Sequence, residues 1–475
     1  MDFISGSFLL FLLITVIVYY SIPKKGQWIW LLLSGMFFYC ASSPKLAVFI
    51  LISIVSSYAW ARWFSCSKLM FWLTILCNAG ILFGLKMAAS GSVLASYLKI
   101  ERFAFLLPVG ISFYTLQIIA YMTDVYKGKI QAERNFFKYM LFVTYFPQII
   151  QGPIPRYEQL GKQLSSFHKF DYAMFVGGFE LMIWGFFQKL VIADRANILV
   201  NRLFGEYQTY QGMYVVVAAV LYSLQLYADF NGCVCIARGV SEMLGIQMAE
   251  NFDRPYFSGS IKEFWHRWHI SLSSWLRDYI YIPLGGNRKG KTVQYINILI
   301  TFLVSGIWHG IGTTFVVWGL LHGLYQIMGS FLMPVRDWIV KVFRVDRESF
   351  SHRLWKVTVT FIMVAVAWIF FRASSVSQAF AMIKSIFTTC NPWILWDGSL
   401  YQLGMDAKNV WMLFWSAVTL FVVELLQARV SLRSEFAKQG IVFRYVVLYM
   451  AVFAILIFGI YGPGYDAAQF IYGGF

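Results

Sequence analysis

The sequence predicts an all-α polytopic membrane protein. Two observations carry this. The 475 residues are 59% hydrophobic and only 13% charged, whereas a soluble domain carries about a quarter charged residues. The apolar residues also fall into about thirteen separate runs, the length signature of helices that cross or dip into a bilayer.

In chain order the runs are 8–22, 28–41, 46–64, 70–85, 103–121, 136–150, 173–192, 213–230, 293–309, 313–332, 355–371, 410–426 and 445–460. The first is followed by Lys24 and Lys25 and has no basic residue before it. It reads as a first spanning helix with its start outside, not as a cleavable signal. Several runs are shorter than the roughly twenty residues that span a bilayer unaided. The expectation is 11–13 transmembrane or re-entrant helices, the broken ones covered by protein. No repeat and no soluble segment stands out, so residues 1–475 read as a single membrane-embedded domain.

The formal net charge is +16. No basic domain stands apart from the spans, so this excess is the Lys and Arg bias of cytoplasmic loops and not a nucleic-acid surface. Loops 237–292, 335–356 and 429–444 are basic and are expected inside. Loop 373–409 is poor in Lys and Arg and is expected outside. The six cysteines show no zinc spacing.

Chemistry concentrates between Glu263 and His309. As one helix at 100° per residue, 261–280 places Trp265, Trp268, Leu272, Trp275, Leu276 and Tyr279 on one stripe. His266, His269, Ser273 and Arg277 fall on the next. This predicts an amphipathic helix lying in the membrane interface. His266 and His269 lie one turn apart, but no His-Glu-x-x-His pattern accompanies them, so no metal is expected.

The loop Gly285–Thr292 matches the phosphate-loop pattern G-x-x-x-x-G-K-[ST] letter for letter. Such a loop needs a strand before it and a sheet-packed helix after it. Here a membrane-length apolar run follows, so the loop reads as a flexible basic turn. His309 ends that run, about 25 Å from its start at the helical rise. An ionisable group at such depth is a functional candidate by default, and a neutral imidazole is what a general base needs. Trp308 precedes it, and Gly306, Gly310 and Gly312 leave room for close approach. His322, on the next helix, orients a partner or serves the core. Asp229 closes an apolar run, as a buried ion-pair member or an interfacial residue.

With these residues in view, the chain resembles the membrane-bound O-acyltransferase family. It is most similar to the bacterial branch that O-acetylates alginate, and more distantly to proteins that D-alanylate teichoic acid. The resemblance rests on Pro108–Gln117 with Asp124-Val125-Tyr126, Phe146-Pro147-Gln148, Gln151–Tyr157, Phe264–Asn287, Ser305–Gly310 and Trp368–Ala373. It covers most of the chain, with a core at about 103–373. Relatives often carry Asp-Phe-Ser-Gly-Tyr-Ser-Asp where this chain has Asp229-Phe230-Asn231-Gly232-Cys233-Val234-Cys235, so the second acid is absent.

The resemblance implies helices ringed around a central tunnel in a bacterial cell membrane. It implies an O-acyltransferase with His309 and His269 as catalytic residues. His309 would be general base, and His269 would bind or polarise the thioester end. His266, Ser273, Arg277, Trp308, Asp229 and His322 would be substrate-binding. The donor would be acyl-CoA or a phosphopantetheinyl carrier protein, with no bound cofactor. The acceptor would be an extracytoplasmic polysaccharide or cell-envelope polymer, reached directly or through a partner acyltransferase outside. The other partner is the lipid bilayer itself. Two alternatives stay open: D-alanyl transfer to teichoic acid, and a transporter or flippase whose histidines line a path without chemistry.

Overall fold

A computed structural model describes residues 3–42, 46–90, 107–149 and 151–461. Every regular element among the described residues is a helix, as expected where backbone polar groups must be satisfied without water. Among the described residues, seven helices are long and apolar enough to cross a membrane. They are Lys68–Ala89, Tyr172–Gly205, Met213–Met243, Lys291–His309, Phe350–Arg372, Ala407–Gln427 and Ile441–Phe458. An eighth arises if Thr313–Phe331 and Met333–Val342, bent by 49°, count as one span. Two shorter apolar helices are Gly6–Ser21 and Ala47–Trp63. The chain is thus an all-α polytopic membrane protein. The predicted run 103–121 is realised as helix Ile111–Tyr126, and residues 103–106 lie outside the described residues. The run 136–150 is two helices, Phe136–Thr144 and Phe146–Ile149, with Pro147 in the first turn of the second, where its missing N–H costs nothing; residue 150 lies outside the described residues.

Local signals start many of these helices where the sequence places a capping side chain. Asn135, Asp171, Ser349 and Asp406 each accept from a backbone N–H of the following turn, satisfying one of the four N–H groups a helix start leaves open. Ser260 accepts from Glu263 N at 3.1 Å, and Glu263 accepts in turn from Gly259 N at 2.8 Å, a reciprocal cap.

The contact pattern divides the chain into two compact units. One comprises Met1–Lys189, Asp229–Glu250 and Val430–Phe475. Its core is aromatic around Phe38, Tyr121, Tyr139 and Phe146. Within it, helix Tyr172–Phe186 and the later part of helix Met213–Met243, from Asp229 on, approach backbone to backbone. A Cβ at Gly185 would sit 2.5 Å from Gly232 O, and one at Gly178 2.5 Å from Gly239 O. Only glycine permits this, and small residues are what bring membrane helices close. Beside the Gly185–Gly232 crossing, Lys189 Nζ meets Asp229 Oδ1 at 2.6 Å, both almost fully buried, and Asn231 donates to Gln188 Oε1 at 3.0 Å.

Asp229 therefore does not end its helix, as the hydropathy suggests. The helix, 31 residues in all, runs on past it to Met243, and a cation 40 positions away in the chain pairs with the carboxylate. Lys189 lies in a π-helical stretch, Phe187–Ala193, the kind of local widening that is frequent at special sites.

The other unit comprises Leu190–Ala228 and Asn251–Arg429, and it holds both candidate catalytic histidines. Its centre is the antiparallel pair Lys291–His309 and Thr313–Phe331. There a Cβ at Gly306 would meet Phe315 O at 2.4 Å, and one at Gly319 would meet Phe302 O at 2.4 Å. Gly306 is thus spent on helix contact, not on substrate approach. Helix Phe350–Arg372 packs beside them with Trp368 and Phe371 buried.

Candidate active site

The expected continuous helix over 261–280 is broken. Helix Ile261–Arg267 ends, and helix Ile270–Leu276 begins after it. A π-helical turn, Arg277–Tyr281, follows. The break is His269, at φ +45° and ψ +56°, a left-handed conformation uncommon for a residue with a Cβ. Such strain persists only where surrounding structure holds it, and it clusters at functional sites. Here the loop at 251–253 holds it. Ile270 N donates to Asn251 O at 2.9 Å, and Asp253 N donates to Arg267 O at 3.0 Å.

The break redistributes the predicted faces. Trp265, Trp268 and Trp275 are buried in the protein, not laid on a lipid surface. His269 is fully buried with them. His266 and Arg277 are exposed, and Arg277 pairs with Asp278 at 2.9 Å. Ser273 donates to Trp268 O at 3.2 Å. The polar cluster expected from helical periodicity does not form, because the left-handed residue swings helix Ile270–Leu276 onto a new axis.

Asn251, which is not among the residues the sequence singles out, fixes His269. Its Oδ1 accepts from Ser271 N at 3.0 Å and from Ser271 Oγ at 2.9 Å. Ser271 N–H can only donate, so this Asn251 atom is the oxygen. The same oxygen lies 3.2 Å from His269 Nδ1, so Nδ1 carries the proton and Nε2 is the basic nitrogen. His269 lies outside every candidate span, and burial pushes its pKa down to about 3. Desolvation disfavours the charged imidazolium, and the ring is neutral at physiological pH. No hydropathy or motif signal marks Asn251; its role appears only when the chain brings it beside residue 269.

His309 is the last residue of a 19-residue helix, roughly 28 Å long at the usual rise. It is buried among aromatic rings. Trp308, Trp318 and Phe371 stand 4.7, 5.1 and 5.3 Å from it, centroid to centroid. The Trp308 ring also lies 6.2 Å from the His269 ring, so one indole touches both histidines. Ser305, one turn earlier on the same face, is fully buried, and its hydroxyl has no hydrogen-bond partner among the described residues.

His322 is buried too, and its Nδ1 accepts from Trp265 Nε1 at 3.2 Å. Its ring packs at 5.2 Å from Trp318. It joins the aromatic wall behind His309 and supports that wall.

The structure thus brings His269, Trp308, His309 and His322 into one aromatic cluster and leaves His266 and Arg277 outside it. Asp229 belongs to the other unit, in its ion pair with Lys189. The Gly285–Thr292 loop is a run of turns entering a helix, with no strand among the described residues. Asn297 Nδ2 ties it down by donating to Gly286 O at 2.9 Å. The strand–loop–helix geometry of a phosphate loop is not there.

A family model described as MBOAT, membrane-bound O-acyltransferase family, matches residues 129–376, a stretch that contains both histidines. The chain is 38% identical to the probable alginate O-acetylase AlgI of Pseudomonas syringae pv. tomato over 60% of this chain and 52% of that one. It is 31% identical to the peptidoglycan O-acetyltransferase of Helicobacter pylori over 75% of this chain and 73% of that one. It is 29% identical to the teichoic acid D-alanyltransferase of Bacillus subtilis over 47% and 59% respectively. The match spans about half the length of the alginate O-acetylases. With its spans, its buried histidine pair and this match over more than half its length, the chain belongs to the membrane-bound O-acyltransferase family, multi-pass proteins of the cell membrane.

Proposed function

We propose that the chain is an O-acyltransferase that passes an acetyl group from a thioester to a hydroxyl of a cell-envelope polymer. The observation that carries this is the pair of buried histidines bridged by Trp308 in an aromatic, water-poor setting. Acyl transfer needs a base to take the acceptor proton while the thioester carbonyl is attacked. His309 fills that role, its ring at a helix end beside Trp308, Trp318 and Phe371. It removes the hydroxyl proton as the new C–O bond forms, and returns the proton to the thiolate that leaves.

His269 plays a narrower part than the resemblance alone implies. With Nδ1–H committed to Asn251, its Nε2 accepts hydrogen bonds and does not donate them. A neutral ring in this tautomer cannot polarise a carbonyl oxygen. It binds an O–H or N–H of a substrate instead. The Ser305 hydroxyl supplies a donor that His269 does not.

The donor is acyl-CoA or a phosphopantetheinyl carrier protein on the cytoplasmic side, and the acceptor lies outside, reached directly or through a partner acyltransferase. Relatives named as acetylases match at higher identity than those named as D-alanyltransferases, which favours acetate.

The test replaces His309 with Ala in the full chain. Transfer of acyl groups to cell-surface polymers should fall by about 10² to 10⁴-fold, the usual contribution of a positioned base, while the protein still reaches the membrane. Retained transfer would remove His309 from the mechanism. Mass analysis of the polymers with and without the chain identifies the acyl group; D-alanine in place of acetate would overturn that assignment.

A further inference from the structure

Helix Thr313–Phe331 and the candidate span Phe350–Arg372 are joined by residues 332–349, whose helix Met333–Val342 bends 49° away from the helix before it. This helix is amphipathic and none of its residues is buried. Trp338 and Trp355 are 63% and 66% exposed, the placement of aromatic anchors at headgroup depth. Between this helix, the two helices it joins and residues 259–262 lies a cleft of about 700 Å³.

The cleft is of mixed polarity. Its lining includes the apolar Met328, Val359 and Met363, the cations Lys262, Arg336, Arg347 and Lys356, and the carboxylate of Asp337. Among the described residues no carboxylate lies within ion-pair distance of Lys262, Arg336 or Lys356. The nearby acids are committed elsewhere: Asp337 pairs with Arg347, and Glu263 pairs with Arg267 at 2.7 Å while accepting from Gly259 N at 2.8 Å. Three cations outside ion-pair distance of any carboxylate among the described residues, in a cleft that also exposes apolar side chains, match one chemistry: a phosphate carried on hydrocarbon. Basic pockets between membrane helices hold anionic headgroups in this way.

We propose that this cleft is a binding site for an anionic phospholipid, with the phosphate among Lys262, Arg336 and Lys356 and an acyl chain along Met328, Val359 and Met363. The inference is independent of the histidine site, since none of these residues belongs to it.

The full-length protein, purified and stripped of lipid, is mixed with micelles containing phosphatidylglycerol or phosphatidylcholine, and retained lipid is counted by native mass spectrometry. Phosphatidylglycerol should be retained preferentially and released by salt. The double variant Arg336→Ala, Lys356→Ala should lose about fivefold of that preference per cation removed. Both side chains are exposed, and thermal unfolding of the variant without lipid confirms that it folds. Equal retention of the two lipids, or undiminished phosphatidylglycerol binding by the folded variant, would overturn the proposal. So would displacement of the lipid by coenzyme A, which would make the cleft a donor phosphate site.

Discussion

Two regions of this molecule bury polar groups in a largely apolar chain, and they do so by opposite means. On helices Tyr172–Gly205 and Met213–Met243, the glycines at 178, 185, 232 and 239 bring backbones together, and Lys189 meets Asp229 at 2.6 Å. Full charges are present, and each cancels the other. Around His309 and His269 the walls are aromatic: Trp308, Trp318 and Phe371 stand beside His309, Trp308 also reaches His269, and a single asparagine sets the tautomer of His269. A buried ion pair holds its partners rigidly. A neutral imidazole among hydrophobic rings keeps basicity available. The first arrangement suits a joint between helices, the second suits proton transfer.

The comparison is broken most sharply at the ion pair. Lys189→Ala removes the cation paired with the buried Asp229 carboxylate and should destabilise the protein by about 3–5 kcal/mol, read by thermal unfolding in detergent. Replacing both partners, Lys189→Met with Asp229→Leu, should recover most of that loss, because apolar residues of similar volume tolerate the site. If the double variant is as unstable as the single one, the pair does more than neutralise charge.

At the histidines a comparable change should act on catalysis first. Asn251→Ala removes the acceptor for His269 Nδ1–H and for Ser271, leaving buried donors unmet at about 1–3 kcal/mol. Turnover should fall by roughly 5- to 150-fold if that energy is lost from the transition state. Asn251→Asp keeps the acceptor and should restore much of the rate. The new carboxylate should also raise the pKa of His269, moving the acid limb of the pH–rate profile to higher pH. A purely structural Asn251 would leave that limb in place.

A smaller effect comes from the depressed pKa of His269 itself, about 3 in the folded protein against about 6.5 unfolded. The folded ring binds fewer protons than the unfolded one between these values. Its contribution to stability is complete above about pH 6.5. It is lost as pH falls toward 3, by up to about 1.4 kcal/mol per unit. Unfolding measured from pH 7 to pH 5 should show this slope, reduced in His269→Gln. The smallest change is expected in the loop that looks most like a motif. Lys291→Ala should leave acyl transfer within about twofold, since the loop lacks the architecture that makes such a lysine matter. Loss of transfer together with measurable ATP binding would contradict this reading.

Much of the fold was legible because hydropathy is a local property. The runs at 293–309, 313–332 and 355–371 became helices Lys291–His309, Thr313–Phe331 and Phe350–Arg372, and His309 stands at a helix end as expected. The run 173–192 foretold a helix but not its π-helical stretch, and the run ending at Phe230 concealed a helix continuing to Met243. In both places the departure involves Lys189 and Asp229, whose pairing no local window contains.

The sequence by itself determined the membrane class, the placing of the apolar helices, and the position of His309 at the end of one. Those come from composition and from capping side chains within a few residues of the helices they start. Tertiary structure decided the left-handed break at His269, the Asn251 hydrogen bond that chooses its basic nitrogen, the use of Gly306 for helix contact, and the partner of Asp229. Each depends on groups from separate elements coming together, at 2.6 Å for Lys189 and Asp229 and 3.2 Å for Asn251 and His269, and such meetings are set by how helices pack, not by the order of residues along any one of them.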